Sequence, residues 1–318
     1  QVSRDGGKIW NEVSQNIYGL PSDSYVSRVI SSKKGRGTAY VTFDRHREGD
    51  WSPYVFRTDD YGQTWQDLSD DLPSGSINVI LEHPDNSNVL FLGTEHAVFI
   101  SMNSGNDWVE FNSNLPTTLY DDMVIHPREK DLVLGTHGRS FWVLDDTAPL
   151  AEWSESLDSP VHIYSIRPTT LFHYWKDTSY RGQEEWTGPN PDYGAIINFI
   201  VNSNEGQAVI EIKRRNKIIR SYQLSVSPGV INRFVWDLKH PPPPFIENNK
   251  ETPGLIKPDK SELLPIPPHS LDAKGPHVSP GVYTVTVSVG SKSHSQKVRV
   301  NGDPVSYTHL TLPTTPYV

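Results

Sequence analysis

One eight-residue spelling constrains this chain more than any other feature: a hydroxyl residue, any residue, Asp or Asn, any residue, Gly, any two residues, Trp. It occurs as Ser3-Arg4-Asp5-Gly6-Gly7-Lys8-Ile9-Trp10, as Thr58-Asp59-Asp60-Tyr61-Gly62-Gln63-Thr64-Trp65 and as Ser101-Met102-Asn103-Ser104-Gly105-Asn106-Asp107-Trp108. The chemistry accounts for the letters. A short acid or amide side chain bonds backbone N–H groups across a tight turn, Gly supplies a positive φ, and Trp closes the apolar side of the hairpin. The invariant positions are therefore expected to be structural: Ser3, Asp5, Gly7 and Trp10 in the first copy, Thr58, Asp60, Gly62 and Trp65 in the second, Ser101, Asn103, Gly105 and Trp108 in the third.

The spelling sets a period. Trp65 and Trp108 are 43 residues apart, His83-Pro84 returns 43 residues later as His126-Pro127, and Gly93-Thr94 returns after 42 as Gly135-Thr136. A period of ~40–45 residues with several short strands per unit is the signature of a β-propeller blade. Trp10 to Trp65 is longer, at 55 residues, and the polar stretch Arg45 to Pro53 reads as the loop insertion responsible. Residues 1–13 then close one blade, Tyr25–Leu68 and Ile77–Phe111 form two more, and Met123–Asp146 a last one without a box. A closed propeller needs more blades than this. The sequence accordingly predicts an open arc whose remaining blades are missing, in a larger protein cut at both ends, with any signal peptide lost.

These motifs resemble Asp-boxes, or BNR repeats, of sialidases, xyloglucan hydrolases and sortilin-type receptors. More narrowly, Asp131 to Asp146 (DLVLGTHGRSFWVLDD) is similar to the last blade of large secreted bacterial proteins of the sortilin-like, YVTN/BNR-repeat kind, often labelled glycosyl hydrolases. The resemblance implies an extracellular or cell-envelope location.

Beyond the blades, Pro149 to Leu157 is the one stretch with a helical look, and residues 149–190 read as a linker with a short helix. Strand candidates follow at Ala195–Val201, Ala208–Lys213, Ile218–Gln223, Asn232–Leu238, Gly281–Val289 and Ser293–Val300. The alternation in Tyr283-Thr284-Val285-Thr286-Val287-Ser288-Val289 suits a sheet with one buried face. This pattern predicts a β-sandwich over 191–304, and Gly275–Tyr283 and Asn232–Leu238 resemble the Ig-like module of the flagellar-hook capping protein FlgD. Between Pro241 and Pro280 runs a Pro-rich excursion, read as a surface polyproline loop ahead of an SH3-type ligand. Residues 305–318 break with everything before them and resemble translated sequencing-adapter read-through, a non-native tail. The fold expected is all-β: about three blades of an Asp-box propeller over 1–148 followed by an Ig-like β-sandwich.

Composition narrows the function. With 29 Lys and Arg against 38 Asp and Glu the net charge is −9, which speaks against a nucleic-acid partner. Zero cysteine removes disulfides, thiol nucleophiles and Cys-based metal sites. No apolar run reaches the ~18 residues of a membrane helix. No HExxH or paired-His spacing and no G-x-S-x-G elbow occurs, so neither a metal ion nor a cofactor is predicted.

In a blade the turns alternate between faces. The His-Pro turns and the boxes share one; the turns joining second to third strands, and the starts of blades, share the other. That second face receives Glu95, His96, His137, Arg139, Asp121 and Asp122. Glu95 with Asp122 is the pair nominated for glycoside hydrolysis, which needs two carboxylates ~5–5.5 Å apart for retention or ~6.5–9.5 Å for inversion. His96, His137, Arg139 and Asp121 are the ligand-binding candidates. A sialidase-type site, as the resemblance implies it, takes an arginine cluster and a tyrosine nucleophile, and only Arg139 is well placed. A solvated rim, with Arg139 paired to Asp122 or bonded to strand carbonyls, is the plain alternative. Three functions stay open: recognition of a glycan or peptide, glycoside hydrolysis, and scaffolding without a site.

Overall fold

The computed structural model describes residues 1–172, 192–204, 206–241 and 275–304. The rest of the expected linker, nearly all of the Pro-rich excursion and the proposed non-native tail lie outside them. The structure is nearly all β and divides into two compact units, Gln1–Ser154 and Glu155–Val318.

The first unit holds three antiparallel meanders. β1 (Tyr25–Ser31), β2 (Ala39–Asp44), β3 (Tyr54–Thr58) and β4 (Gln66–Asp67) form the first sheet. β5 (Ile77–Glu82), β6 (Leu90–Thr94), β7 (Val98–Ser101) and β8 (Val109–Glu110) form the second, and β9 (Tyr120–Ile125), β10 (Leu132–Thr136) and β11 (Phe141–Leu144) the third. Each carries a bulge at the same place, at the start of its first strand pair. The repeat in the sequence is thus a repeat of one strand pattern, down to an irregularity.

Side-chain alternation explains how the sheets stack. In β6 Leu90 and Leu92 join Tyr40, Val55, Ile80, Phe99 and Trp108 in one buried cluster, while Phe91 points the other way, into a second cluster with Val79, Tyr120, Met123, Ile125 and Leu134. The middle sheet is therefore buried on both faces, and its strands read as unbroken apolar runs. The third sheet is covered on one face only and the first is covered incompletely on its outer face, where Ile17, Val41, Phe43 and Phe56 form a small buried cluster, which leaves Val26, Val29, Val124, Phe141 and Val143 exposed.

All three boxes close as the chemistry requires. The hydroxyls of Ser3, Thr58 and Ser101 each accept the N–H of the box glycine at 2.8 Å. Asp5, Asp60 and Asn103 accept backbone N–H groups of residues 8, 64 and 107 at 2.9 Å. The turn needs two successive positive φ values, 64° and 82° at Tyr61 and Gly62, and 65° and 91° at Ser104 and Gly105. The tryptophans differ. Trp108 is 7 % exposed and donates to the Leu68 carbonyl at 2.8 Å, whereas Trp10 is 59 % exposed and its indole donates to the Gly7 carbonyl of its own turn at 3.0 Å. The expectation that each box Trp closes an apolar side fails for Trp10.

Two short helices, α1 (Ala148–Ala151) and α2 (Trp153–Leu157), occupy the stretch with the helical look. The linker reading of 149–190 does not extend to β12 (Val161–Ile163) and β13 (Thr169–Leu171), which enter the sheets of the second unit. One of those sheets has the order β12, β14 (Ala195–Val201), β17 (Ile231–Trp236). The other runs β13, β19 (Lys292–Gly302), β18 (Gly281–Val289), β15 (Gln207–Arg214), β16 (Lys217–Ser225), with β13 parallel to β19. Ile197, Phe199 and Trp236 from the first share one buried cluster with Ile210, Tyr283, Val285 and Val298 from the second. The inward residues of β18, Tyr283, Val285, Val287 and Val289, are the apolar half of its alternation.

Candidate ligand-binding face

Strand register places the candidate residues. At the start of each sheet's first strand, Tyr25 pairs with Asp44, Ile77 with Thr94 and Tyr120 with Thr136, so the strand starts and the turns after β2, β6 and β10 lie at one end. Thr58 pairs with Ala39 and Ser101 with Leu90, which puts the second and third boxes at the other end. Glu95, His96, Asp121, Asp122, His137 and Arg139 all belong to the first end; Asp60 and Asn103 belong to the second. The box side chains are consumed by their own turns.

Within that end the pairings differ from those drawn from sequence. Asp122 does not pair with Arg139. Its Oδ1 accepts from the Arg28 guanidinium at 2.7 Å and from the Met123 N–H at 2.9 Å, tying β9 to β1. Arg28 went unnoticed in the sequence because 94 residues separate the partners. Asp121 faces His137 Nδ1 at 3.4 Å, and His96 Nε2 stands 3.9 Å from Glu95. Arg139 is exposed; its amide donates to Thr136 Oγ1 at 3.2 Å and its carbonyl accepts from the Trp142 indole at 3.0 Å.

The loop insertion also contributes. Asp44, at the end of β2, accepts from the His46 amide at 2.9 Å and contacts His46 Nδ1 at 2.6 Å and 2.7 Å, and Glu95 approaches both residues. Burial pushes the Asp44 carboxyl up, but the His46 amide, the Ser76 hydroxyl and the His46 ring outweigh it and hold the group below its ordinary value. The half-exposed Trp51 ring lies 6.3 Å from that of His46. Glu95 thus sits with Asp44 and His46, and Asp122 with Arg28.

Shape separates the polar end from the apolar space in this unit. A cavity of about 570 Å³ runs along the outer face of the first sheet between Val13, Ile17, Val26, Val29, Val41 and Phe43, and none of its lining residues is acidic. Beside His96 there is a recess of only about 20 Å³, room for a water molecule. The polar end is an open surface. Among the described residues no helix is long and apolar enough to cross a membrane.

Comparison with known proteins agrees with the repeat. The family described as "Sortilin, neurotensin receptor 3" matches residues 53–185, which supports a sortilin-like β-propeller for the first unit. Two solved propellers align with low overall similarity. The GH74 enzyme of Niastella koreensis is 14 % identical, with a TM-score of 0.33, over 55 % of this chain and 28 % of its own. YCF48 bound to a D1 peptide is 16 % identical, with a TM-score of 0.29, over 64 % of this chain and 55 % of its own. The chain therefore spans little more than a quarter and about half of these two proteins. No curated protein matches it.

Proposed function

We propose that this chain is a recognition or scaffolding module of a secreted, sortilin-like bacterial protein of the BNR type, with a FlgD-like Ig domain behind its propeller blades. It acts outside the cytoplasm and takes a peptide or glycan on the end of the blades opposite the boxes. One observation carries the reading: that end is open and presents acids, imidazoles, a guanidinium and an aromatic ring together, while the box end spends its polar groups on its own turns. Open polar surfaces with an aromatic anchor suit extended ligands better than an enclosed small molecule. The matched family's description as a neurotensin receptor favours a peptide.

Glycoside hydrolysis through Glu95 and Asp122 is the second reading. Against it stands the engagement of Asp122: a carboxylate held by a guanidinium and an amide is an anchor before it is a proton carrier. The test is a glycan, peptide and chromogenic-glycoside screen of the full chain beside a Glu95→Gln/Asp122→Asn double variant and Trp51→Ala. Binding that Trp51→Ala weakens about tenfold, without turnover, is the expected result; a hot-spot aromatic contributes about this much or more. Turnover that the double variant loses makes the chain a hydrolase and overturns the reading.

A further inference from the structure

We infer that the outer face of the third sheet docks onto the outer face of the first sheet in a second copy of this chain, head to tail, by the contact that already joins sheets within one chain. Strand register identifies the equivalent positions. Thr42, Gly93 and Gly135 hold one place in the three sheets, and the residues paired with them in the next strand are Val55, Val98 and Phe141. On the opposite side of each sheet the equivalent pairs are Val29 with Val41, Ile80 with Leu92, and Met123 with Leu134.

Within the chain the contact is made twice. Tyr40 and Val55 of the first sheet are buried in one cluster with Ile80, Leu92 and Trp108 of the second. Phe91 and Val98 of the second are buried with Met123 and Leu134 of the third. Both halves of a third such contact are present and exposed. Phe141 is 76 % exposed, with Val124 and Val143 exposed on the same sheet, and Val29 is 64 % exposed on the first. One chain cannot bring these halves together, since the second sheet lies between them. A second copy can.

Side-chain size matches the two faces to each other. Phe141 stands where the first two sheets carry valine, so the third sheet presents more bulk than they do. Val29 and Val41 stand where the second sheet carries Ile80 and Leu92, so the first sheet offers more room. The segment ahead of β1 covers part of that face through Ile17 and leaves a cavity of about 570 Å³ against Val26, Val29, Val41 and Trp65, with no acid in its lining. Bulk on one apolar face thus meets a recess in the other, as close packing requires.

Trp65 supplies an independent observation. In the next box Trp108 donates its indole N–H to the Leu68 carbonyl at 2.8 Å, whereas the Trp65 N–H is buried without an acceptor among the described residues. A buried donor left so is costly, and a chain laid on this face brings carbonyls to it. Pairing of like faces would set Phe141 against Phe141 and leave the first-sheet recess uncovered. The head-to-tail contact is heterologous, so it closes into a ring or continues as a string of copies. It uses the broad sides of the sheets and does not depend on the ligand proposed for their ends.

The experiment is sedimentation velocity of the full chain, of Val29→Glu and of Phe141→Glu, each alone and the two variants in equimolar mixture, with circular dichroism recording each fold. A carboxylate buried without a partner opposes an apolar contact. The parent is expected to grow heavier with concentration and each variant alone to stay a monomer. The mixture should form a species of about twice the monomer mass, because the intact third sheet of Val29→Glu meets the intact first sheet of Phe141→Glu. Should either variant unfold, Val26→Glu or Val143→Glu replaces it on the same face. A variant that associates as the parent does, or a mixture that stays monomeric, would overturn the inference. So would a parent that stays monomeric at every concentration, which would leave both faces to further sheets of the same repeat.

Discussion

At the scale of single residues, the box acid shows how one side chain can define a turn. Asp60 accepts from the Thr64 amide at 2.9 Å, the Thr64 hydroxyl at 2.7 Å and the Thr58 hydroxyl at 2.9 Å. The Thr64 amide first, then the two hydroxyls, hold its carboxyl down at about 2 against the opposing effect of burial. A folded-state pKa below the unfolded one means that the stabilisation is present above the unfolded value and is lost as pH falls through the folded one. Thermal unfolding of the parent chain is therefore expected to lose part of its stability between pH 4 and about 2. Asp60→Asn should flatten that dependence while keeping the turn, since Asn103 already fills the same role in the third box. Asp60→Ala should lower the midpoint by several degrees at neutral pH, because the Thr64 amide is left without its acceptor. An Asp60→Asn profile as steep as the parent's would assign the acid loss to other carboxylates.

At the scale of elements, Gly93 and Gly135 hold the same place in consecutive sheets but not the same surroundings. A Cβ on Gly93 would stand 2.7 Å from Val79 Cγ1, 2.8 Å from Met123 Cε and 3.0 Å from Tyr120 Cβ, all of them buried side chains where the second and third sheets meet. On Gly135 the nearest atom is the Asp122 carbonyl oxygen at 3.6 Å, an ordinary contact. Neither glycine has positive φ, so packing alone separates them. Gly93→Ala should cost about 1–3 kcal/mol. Gly135→Ala should be neutral or stabilise by up to about 1 kcal/mol, through the unfolded chain. Denaturant unfolding of the two variants side by side checks this, and equal losses would refute the packing argument.

The same elements show what the sequence made legible. The period of Trp and Gly located three meanders, and the box spelling located their turns, because both depend on neighbours within one hairpin. The association of Asp44 and His46 with Glu95, and of Arg28 with Asp122, was not legible, since each pairs residues from different sheets and no spacing records how sheets stack. β12 and β13 escaped for another reason: three residues are too few to show alternation. Arg45 to Pro53 was legible as an insertion, but His46 and the Trp51 ring that it brings were not assigned a role.

At the scale of the whole molecule, the stacked sheets of the first unit end in apolar faces. Val29 is 64 % exposed on the first sheet and Phe141 76 % on the third, joined by Val26, Val124 and Val143. Val98, which holds in the middle sheet the place that Phe141 holds in the third, each paired with the repeated glycine, is 1 % exposed because the third sheet lies against it. Exposed apolar sheet faces drive association, and each further sheet laid on such a face removes that drive. The full chain should therefore self-associate as concentration rises. Val29→Glu combined with Phe141→Lys should shift sedimentation or light scattering toward the monomer without lowering the unfolding midpoint, because neither side chain belongs to a buried cluster. A drop of several degrees would mean that these residues support the sheets themselves. An unchanged association state would place the adhesive surface elsewhere.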